Sequence, residues 1–149
     1  GNVAAWLTRT DAQSTIVSHV GDDPAGAAIV AEFDDLGVKH GNLVIPGETS
    51  GVVVVLVDAS GERTMFPDKG ANSRLTAADL PDLSNFQAVY ISGYALLNPL
   101  ARDGVLAMIE QIKTAIKNFN ETNSIDTVVL LAPTSKNLEF NDINNGLIQ

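Results

Sequence analysis

The hydrophobic pattern divides the chain into short apolar runs and longer stretches of helical period. The apolar runs, rich in Val, Ile and Thr, occupy residues 15–20, 52–57, 88–92 and 125–131. Runs of this length and β-branched content are typical of strands. Because helical patterns separate most of these runs, the order of elements predicts an α/β fold with a mostly parallel, helix-covered sheet.

Three helices are predicted from capping residues and from apolar spacing. The first covers residues 3–7. The second follows Asp23, a favourable N-cap, and Pro24, and it ends before Gly37. The third and longest begins near residue 98. Their core-facing stripes are Ala25, Ile29, Phe33 and Leu36 in the second helix, and Val105, Ile109, Ile112, Ile116 and Phe119 in the third.

Between the predicted strands lies a segment, residues 49–72, with the pattern of a β-hairpin. The Val-rich run is followed by a polar turn at residues 58–61 and by a second extended run at 62–66. It interrupts the strand–helix alternation, which favours a lid over a ligand site, while a core hairpin is the alternative. We place the β lid at about residues 39–68, and a brief helix with a Thr-x-x-Asp start follows near 75–81.

Glycines and one carboxylate mark the turns on which such a lid would pivot. The turn at residues 21–26 has Gly at both ends and two Asp between them. Glycines at a helix N-terminus are able to cradle a phosphate, but the two carboxylates favour tight turning and close packing. The predicted hinge and turn residues are Gly21, Asp23, Gly26, Gly51 and Gly70.

Composition narrows the classes of function. The 149 residues suit one domain, and a net charge of −9 disfavours nucleic-acid binding. No apolar run reaches the roughly 20 residues that a membrane span needs, and we expect neither a membrane partner nor a signal peptide. The absence of Cys suits a reducing cytoplasm. Since the helical pattern begins by Val3, we expect the chain to be a piece of a longer protein.

Six short motifs, in order along the chain, carry a resemblance to a known family. They are GNVAA at 1–5, VGDDPAG at 20–26, TSG at 49–51, GERT at 61–64, GAN at 70–72 and ISGY at 91–94. Together they resemble the N-terminal and central portion of the PfkB carbohydrate kinases, the ribokinase-like family. The resemblance covers roughly residues 1–117, and residues 118–149 form a weakly matching tail.

The resemblance implies a single partial ribokinase-like domain over residues 1–149, with a three-layer helix–sheet–helix body and a small β lid. It also implies transfer of the γ-phosphoryl group of ATP, with Mg²⁺, to a sugar or nucleoside hydroxyl. The family's catalytic Asp lies in a Gly-Ala-Gly-Asp segment, which this sequence lacks. We therefore expect no catalytic residue, no metal site and no ATP or Mg²⁺ binding in this chain alone.

By the same resemblance, the chain is expected to be the substrate-binding half of a sugar kinase. The candidate substrate-binding residues are Asn2, Arg63, Met65, Asn72 and Tyr94. Four have structural alternatives: Asn2 as a helix cap, Asn72 as a turn residue, Tyr94 as cover for the core edge, and Arg63 as a solvated charge. A non-catalytic module that binds a sugar or forms a homodimer through the lid is the alternative function, and a rearranged relic is a third.

Overall fold

The protein, analysed as a computed structural model, is described over residues 1–10, 12–41, 43–122 and 128–132. Four α-helices are present in this part of the chain: α1 Asn2–Leu7, α2 Pro24–Asp35, α3 Gly93–Leu96 and α4 Arg102–Thr122. The strands are β1 Thr15–Ile16, β2 Val20–Gly21, β3 Lys39–His40, β4 Val44–Ile45, β5 Ser50–Val57, β6 Arg63–Gly70, β7 Ala88–Ser92 and β8 Val128–Ala132. Short 3₁₀ turns occupy Thr8–Thr10, Ala71–Arg74, Ala77–Asp79 and Leu83–Asn85.

Three of the four strand pairs are parallel, as the alternation of strands and helices predicts. β1 pairs with β3, β2 with β4, and β7 with β8. The first two pairs keep the same register, so they are two halves of one interrupted ladder. Parallel neighbours need a crossover, and α2 lies in the connection between the two sides of this ladder.

The predicted strand at 15–20 is wrong in its middle, because residues 17–19 belong to no strand. The backbone N–H of His19 donates to the side chain of Asn72 at 3.0 Å and is therefore unavailable to the ladder. Ser18 also turns its hydroxyl toward Asn72. A polar side chain from a distant segment thus replaces strand pairing at this point.

The capping signals of α2 are confirmed, and the helix closes the first core cluster. The Asp23 carboxylate accepts from the Gly26 N–H at 2.7 Å, and Gly37 has a φ of 70°. Phe33 packs with the buried side chains of Val20, Val38 and Leu43. Ala25, predicted in the core-facing stripe, is exposed, and the buried position in this turn is Gly26.

The second core cluster lies along α4. Val105, Ile109 and Ile112 are buried and Ile116 is half-buried, as their spacing predicts. The helix begins at Arg102, later than predicted, after Asn98 accepts two backbone N–H bonds through its carbonyl. The side chain of Phe119 and the terminal residues 133–149 lie outside the described residues.

The hairpin of β5 and β6 is antiparallel and is longer than the sequence suggests, since its second strand reaches Gly70. β3 and β4 pair with β1 and β2, and the hairpin begins at Ser50, later than the predicted lid segment. The turn is closed by the Asp58 carboxylate, which accepts from the Ser60 hydroxyl and from the N–H groups of Ser60 and Glu62.

Both faces of this hairpin are apolar and open. Its eight large hydrophobic side chains from Val52 to Phe66 are 42% to 62% exposed. Opposite residues of an antiparallel pair share a face, which defines two surfaces. The Phe66 face carries Val52, Val54, Leu56, Thr64, Phe66 and Asp68. The Met65 face carries Val53, Val55, Val57, Arg63, Met65 and Pro67.

Candidate functional site

The 3₁₀ turn Ala71–Arg74, directly after the hairpin, joins several parts of the chain. The N–H of Ala71 donates to the Thr49 carbonyl at 2.8 Å, on the other arm of the hairpin base. The Ser73 hydroxyl accepts from the amide of Asn98 at 3.1 Å, at the entry to α4. Arg74 donates to the Glu48 carboxylate at 2.6 Å. We call residues 71–74 the junction turn.

Within the junction turn, Asn72 is held by the interruption between β1 and β2. Its Oδ1 accepts from the Ser18 hydroxyl at 3.1 Å and from the His19 N–H at 3.0 Å. Both partners are more than 50 residues away along the chain. Asn72 therefore lies in a turn, as its structural alternative expects, but its side chain also makes long-range hydrogen bonds that a turn position alone does not explain.

His19 reaches a second partner through its ring. The residue is 5% exposed, and Nε2 lies 3.0 Å from Oδ1 of Asp79. A carboxylate oxygen accepts, so Nε2 carries the proton. The other oxygen of Asp79 accepts from the N–H and the hydroxyl of Thr76, which confirms the capping signal but only for a 3₁₀ turn. The predicted brief helix is thus a turn fixed to the interrupted ladder.

The start of the hairpin is fixed by Asp23. Its carboxylate accepts from the Ser50 hydroxyl at 2.6 Å and from the Ser50 N–H at 2.7 Å. The Ser50 hydroxyl in turn accepts from the Gly21 N–H at 3.0 Å. These hydrogen bonds, led by the Ser50 hydroxyl, lower the pKa of Asp23. One carboxylate therefore caps α2 and anchors β5.

Close backbone approach explains the glycines at this anchor. A Cβ on Gly26 would overlap the Gly21 carbonyl oxygen and lie 3.0 Å from the Ser50 hydroxyl. Gly70 has a φ of 50°, and a Cβ there would overlap the Thr49 carbonyl oxygen. The two hairpin arms and the N-terminus of α2 pack here without side chains between them.

The remaining candidate residues are dispersed. Asn2 is the first residue of α1 and makes no side-chain cap, so the capping alternative for this residue is wrong. Tyr94 is 54% exposed, and Lys69 Nζ lies 5.8 Å from its ring centroid. Arg63 and Met65 share one face of β6. Arg63 lies seven residues from Gly70, about 23 Å along an extended strand.

Lys69 thus links the end of the hairpin to Tyr94, and Asn72 follows Lys69 closely along the chain. No described hydrogen bond or ion pair joins Asn2 or Arg63 to these residues. Arg63 is exposed, as its solvated-charge alternative expects. Sequence reasoning did not predict the long-range contacts of Ser18, Asp79 and Asn98, since each is made to a partner distant in sequence.

The described residues contain neither a metal-binding cluster nor a membrane-spanning helix. No group of three or more His, Cys, Asp or Glu side chains there is arranged to hold a metal ion. None of the helices in the same part of the chain has the length and apolar character for a membrane crossing.

Known proteins share both the sequence pattern and the fold. The chain is 29% identical over 117 residues to aminoimidazole riboside kinase of Salmonella typhimurium, covering 76% of this chain and 37% of that enzyme. It is 32% identical over 118 residues to a fructokinase of Klebsiella pneumoniae, covering 76% and 38%. The structure of ribokinase from Giardia lamblia matches with a TM-score of 0.72 and 25% identity, covering 95% of this chain and 43% of that one.

The chain spans less than half the length of each of these proteins. Its helices and mostly parallel strand pairs have ribokinase-like neighbours. The sequence profile of the pfkB family carbohydrate kinases matches residues 1–139, which is most of the chain. This protein therefore belongs to the pfkB family of carbohydrate kinases.

Proposed function

We propose that this chain is the substrate-binding part of a kinase that transfers the γ-phosphoryl group of ATP, with Mg²⁺, to a sugar or nucleoside hydroxyl. The observation that carries the proposal is the family match over residues 1–139. The two curated relatives, a riboside kinase and a fructokinase, agree with it. We further propose a three-layer body and a cytoplasmic setting, where ATP is available.

The geometry supports a polar site at the base of the hairpin. Asn72 is fixed by two hydrogen bonds, and Tyr94 is exposed beside Lys69. Amide and phenol groups with an aromatic face suit a neutral polyol. The net charge of −9 disfavours a strongly anionic ligand over a neutral one. We assign Asn72 and Tyr94 as the principal contacts and Asn2 as a further one.

We propose that the hairpin is the lid over this site. Its strands lie between two fixed points, the Asp23–Ser50 anchor and the junction turn. Its Met65 face, with Arg63 near the tip, is the surface that we assign to the ligand side. Gly21, Gly26, Gly51 and Gly70 lie at the two fixed points and permit the close backbone packing there.

Phosphoryl transfer needs a base and a nucleotide site that we do not assign to these residues. The sequence contains no Gly-Ala-Gly-Asp segment. We therefore expect this chain alone to bind a sugar and to transfer no phosphate. ATP and Mg²⁺ are assigned to the remainder of a full-length kinase.

Isothermal titration calorimetry with D-fructose, D-ribose and aminoimidazole riboside tests the proposal. At least one of these ligands should bind, and Tyr94→Ala should weaken that binding at least tenfold. Asn85→Ala is the matched control, because Asn85 is exposed on the turn Leu83–Asn85. Binding of none of the three ligands would contradict the proposal. So would ATP-dependent phosphorylation by this chain that Tyr94→Ala abolishes.

A second candidate function is homodimer formation through the hairpin. An isolated two-stranded hairpin is marginally stable in water, and this one leaves apolar side chains exposed on both faces. We assign the Phe66 face to the partner copy, since the Met65 face is assigned to the ligand. In native mass spectrometry Val54→Lys should shift the protein to monomer, whereas Val55→Lys on the opposite face should not. A monomeric unmodified chain would exclude this function.

A further inference from the structure

The orientation of the Asn72 amide is determined by its neighbours. The backbone N–H of His19 is a donor and never an acceptor, so the side-chain atom 3.0 Å away must be Oδ1. The amide is therefore not interchangeable with its flipped form. Nδ2, with two N–H bonds, points to the opposite side of the amide. Among the described residues it has no hydrogen-bond partner.

The Ser18 hydroxyl provides the second restraint on this amide. It lies 3.1 Å from the same oxygen and is half-buried. Because residues 17–19 interrupt the ladder, both Ser18 and the His19 N–H are available for a side-chain partner. The His19 ring, held by Asp79 at 3.0 Å, keeps this dipeptide in place.

The backbone that carries Asn72 is equally restrained. Ala71 is fully buried and bonds to Thr49, while Ser73 bonds to Asn98. The amide therefore has little freedom to turn away from Ser18. A donor pair that is held in one orientation is suited to recognise an acceptor of fixed position in a ligand.

We propose that Ser18 is a positioning residue that holds Oδ1 of Asn72, so that Nδ2 donates to a neutral hydroxyl oxygen of the bound sugar. This inference rests on the proposed function for its ligand. It assigns a role to Ser18 that depends on Asn72 and on no direct contact between Ser18 and the sugar.

The first measurement needs no ligand. The side-chain amide signals of Asn72 are assigned in a ¹⁵N–¹H spectrum by their loss in Asn72→Ala. In Ser18→Ala these signals should shift and their order parameter should fall, because one of two restraints is gone. Ser18→Thr, which keeps a hydroxyl, should restore them. An unchanged Asn72 order parameter in Ser18→Ala would overturn the positioning role whether or not a sugar binds.

The second measurement is a double-mutant cycle on sugar affinity, with D-fructose, D-ribose and aminoimidazole riboside as probes. Ser18→Ala should weaken binding about fivefold to tenfold, within the range for one lost hydrogen bond. In the Asn72→Ala background it should change affinity less than twofold, since the group it positions is absent. Thr114→Ala is the control, because the Thr114 hydroxyl is exposed and donates to the Glu110 carbonyl within its own helix.

These outcomes separate the two proposals. Absence of sugar binding by the unmodified chain contradicts the proposed function. It also contradicts the assignment of a sugar hydroxyl as the acceptor for Asn72 Nδ2. Binding that survives Ser18→Ala unchanged overturns the positioning role and leaves the proposed function standing. An equal loss from Ser18→Ala in both backgrounds also overturns it, because Ser18 would then act independently of Asn72.

Discussion

Ser50 donates to Asp23 through both its hydroxyl and its backbone N–H, at 2.6 and 2.7 Å. The same carboxylate accepts from the Gly26 N–H at the start of α2. A single side chain thus determines where a helix begins and where the hairpin leaves the body. The three donors also explain why the pKa of Asp23 is lowered.

Asp23→Asn should lower the thermal midpoint at neutral pH, because the amide replaces one of the two accepting oxygens with a donating nitrogen and one Ser50 donor loses its acceptor. A carboxyl whose pKa is lowered on folding contributes stability above its unfolded value of 3.8. That contribution is lost as the pH falls through the lower folded pKa. The thermal midpoints of the unmodified protein and of Asp23→Asn, followed by circular dichroism from pH 7 to pH 2, should therefore become equal below about pH 3.8.

Asp22→Asn is the matched control for this experiment. Asp22 is adjacent, but among the described residues its side chain accepts one long hydrogen bond, from the Gly47 N–H at 3.4 Å. Its replacement should change the free energy of unfolding by less than about 0.5 kcal/mol and so leave the thermal midpoint nearly unchanged. A gap for Asp23→Asn that stays constant down to pH 2 would contradict the anchor.

Gly26→Ala should destabilise the fold, although alanine normally favours a helix. The new methyl would overlap the Gly21 carbonyl, so a backbone segment would have to shift to admit it. We expect a loss of about 1–3 kcal/mol in the free energy of unfolding, measured by urea titration. Gly41→Ala, with nothing within 4 Å of the new Cβ, should be near neutral. Equal effects from the two substitutions would be incompatible with this packing.

The two histidines offer a test of burial, because both meet an Asp at 3.0 Å. The His19 and Asp79 side chains are 4% and 22% exposed, whereas those of His40 and Asp34 are 20% and 65% exposed. His19→Ala should cost about 2–4 kcal/mol, since it leaves a cavity and removes a buried partner. His40→Ala should cost less than about 1 kcal/mol. Urea denaturation of both variants measures the loss in free energy of unfolding, and a larger loss for His40→Ala than for His19→Ala would contradict the structure.

At the junction turn, the ion pair of Arg74 and Glu48 should contribute less to stability than the packing of the buried residue Ala71. Arg74 and Glu48 are 65% and 33% exposed, so Arg74→Ala should cost below about 1 kcal/mol despite the 2.6 Å contact. Ala71 is fully buried, and Ala71→Val should cost about 1–3 kcal/mol through overpacking. Differential scanning calorimetry of the two variants gives the comparison. A larger loss from Arg74→Ala would show that the ion pair is the main restraint.

Local signals made much of the fold predictable. Asp23, Pro24 and Gly37 define α2 through interactions within one or two turns, and the spacing of Val105, Ile109 and Ile112 gives the buried face of α4. The hairpin followed from its Val run and polar turn. These elements depend on contacts between residues that are close in the sequence, so a single sequence is enough to predict them.

What sequence reasoning missed depends on distant partners. The break at residues 17–19 exists because Asn72 takes the His19 N–H, and nothing near His19 indicates it. Asn72 was identified as a candidate, but Ser18 in a β-branched run has no distinguishing pattern. The Asp79 contact to His19 is equally remote. The site is therefore assembled by pairs that become recognisable only once the chain is folded.

The two ends of the hairpin should differ in how they accept changes of length during evolution. At the tip, the turn closed by Asp58 is exposed, and added residues there would disturb only local hydrogen bonds. At the junction turn, consecutive residues face Thr49, Ser18, Asn98 and Glu48. One inserted residue would bring each side chain opposite the wrong partner. Natural variants should therefore lengthen the hairpin at its tip and keep the count of residues 70–74 constant.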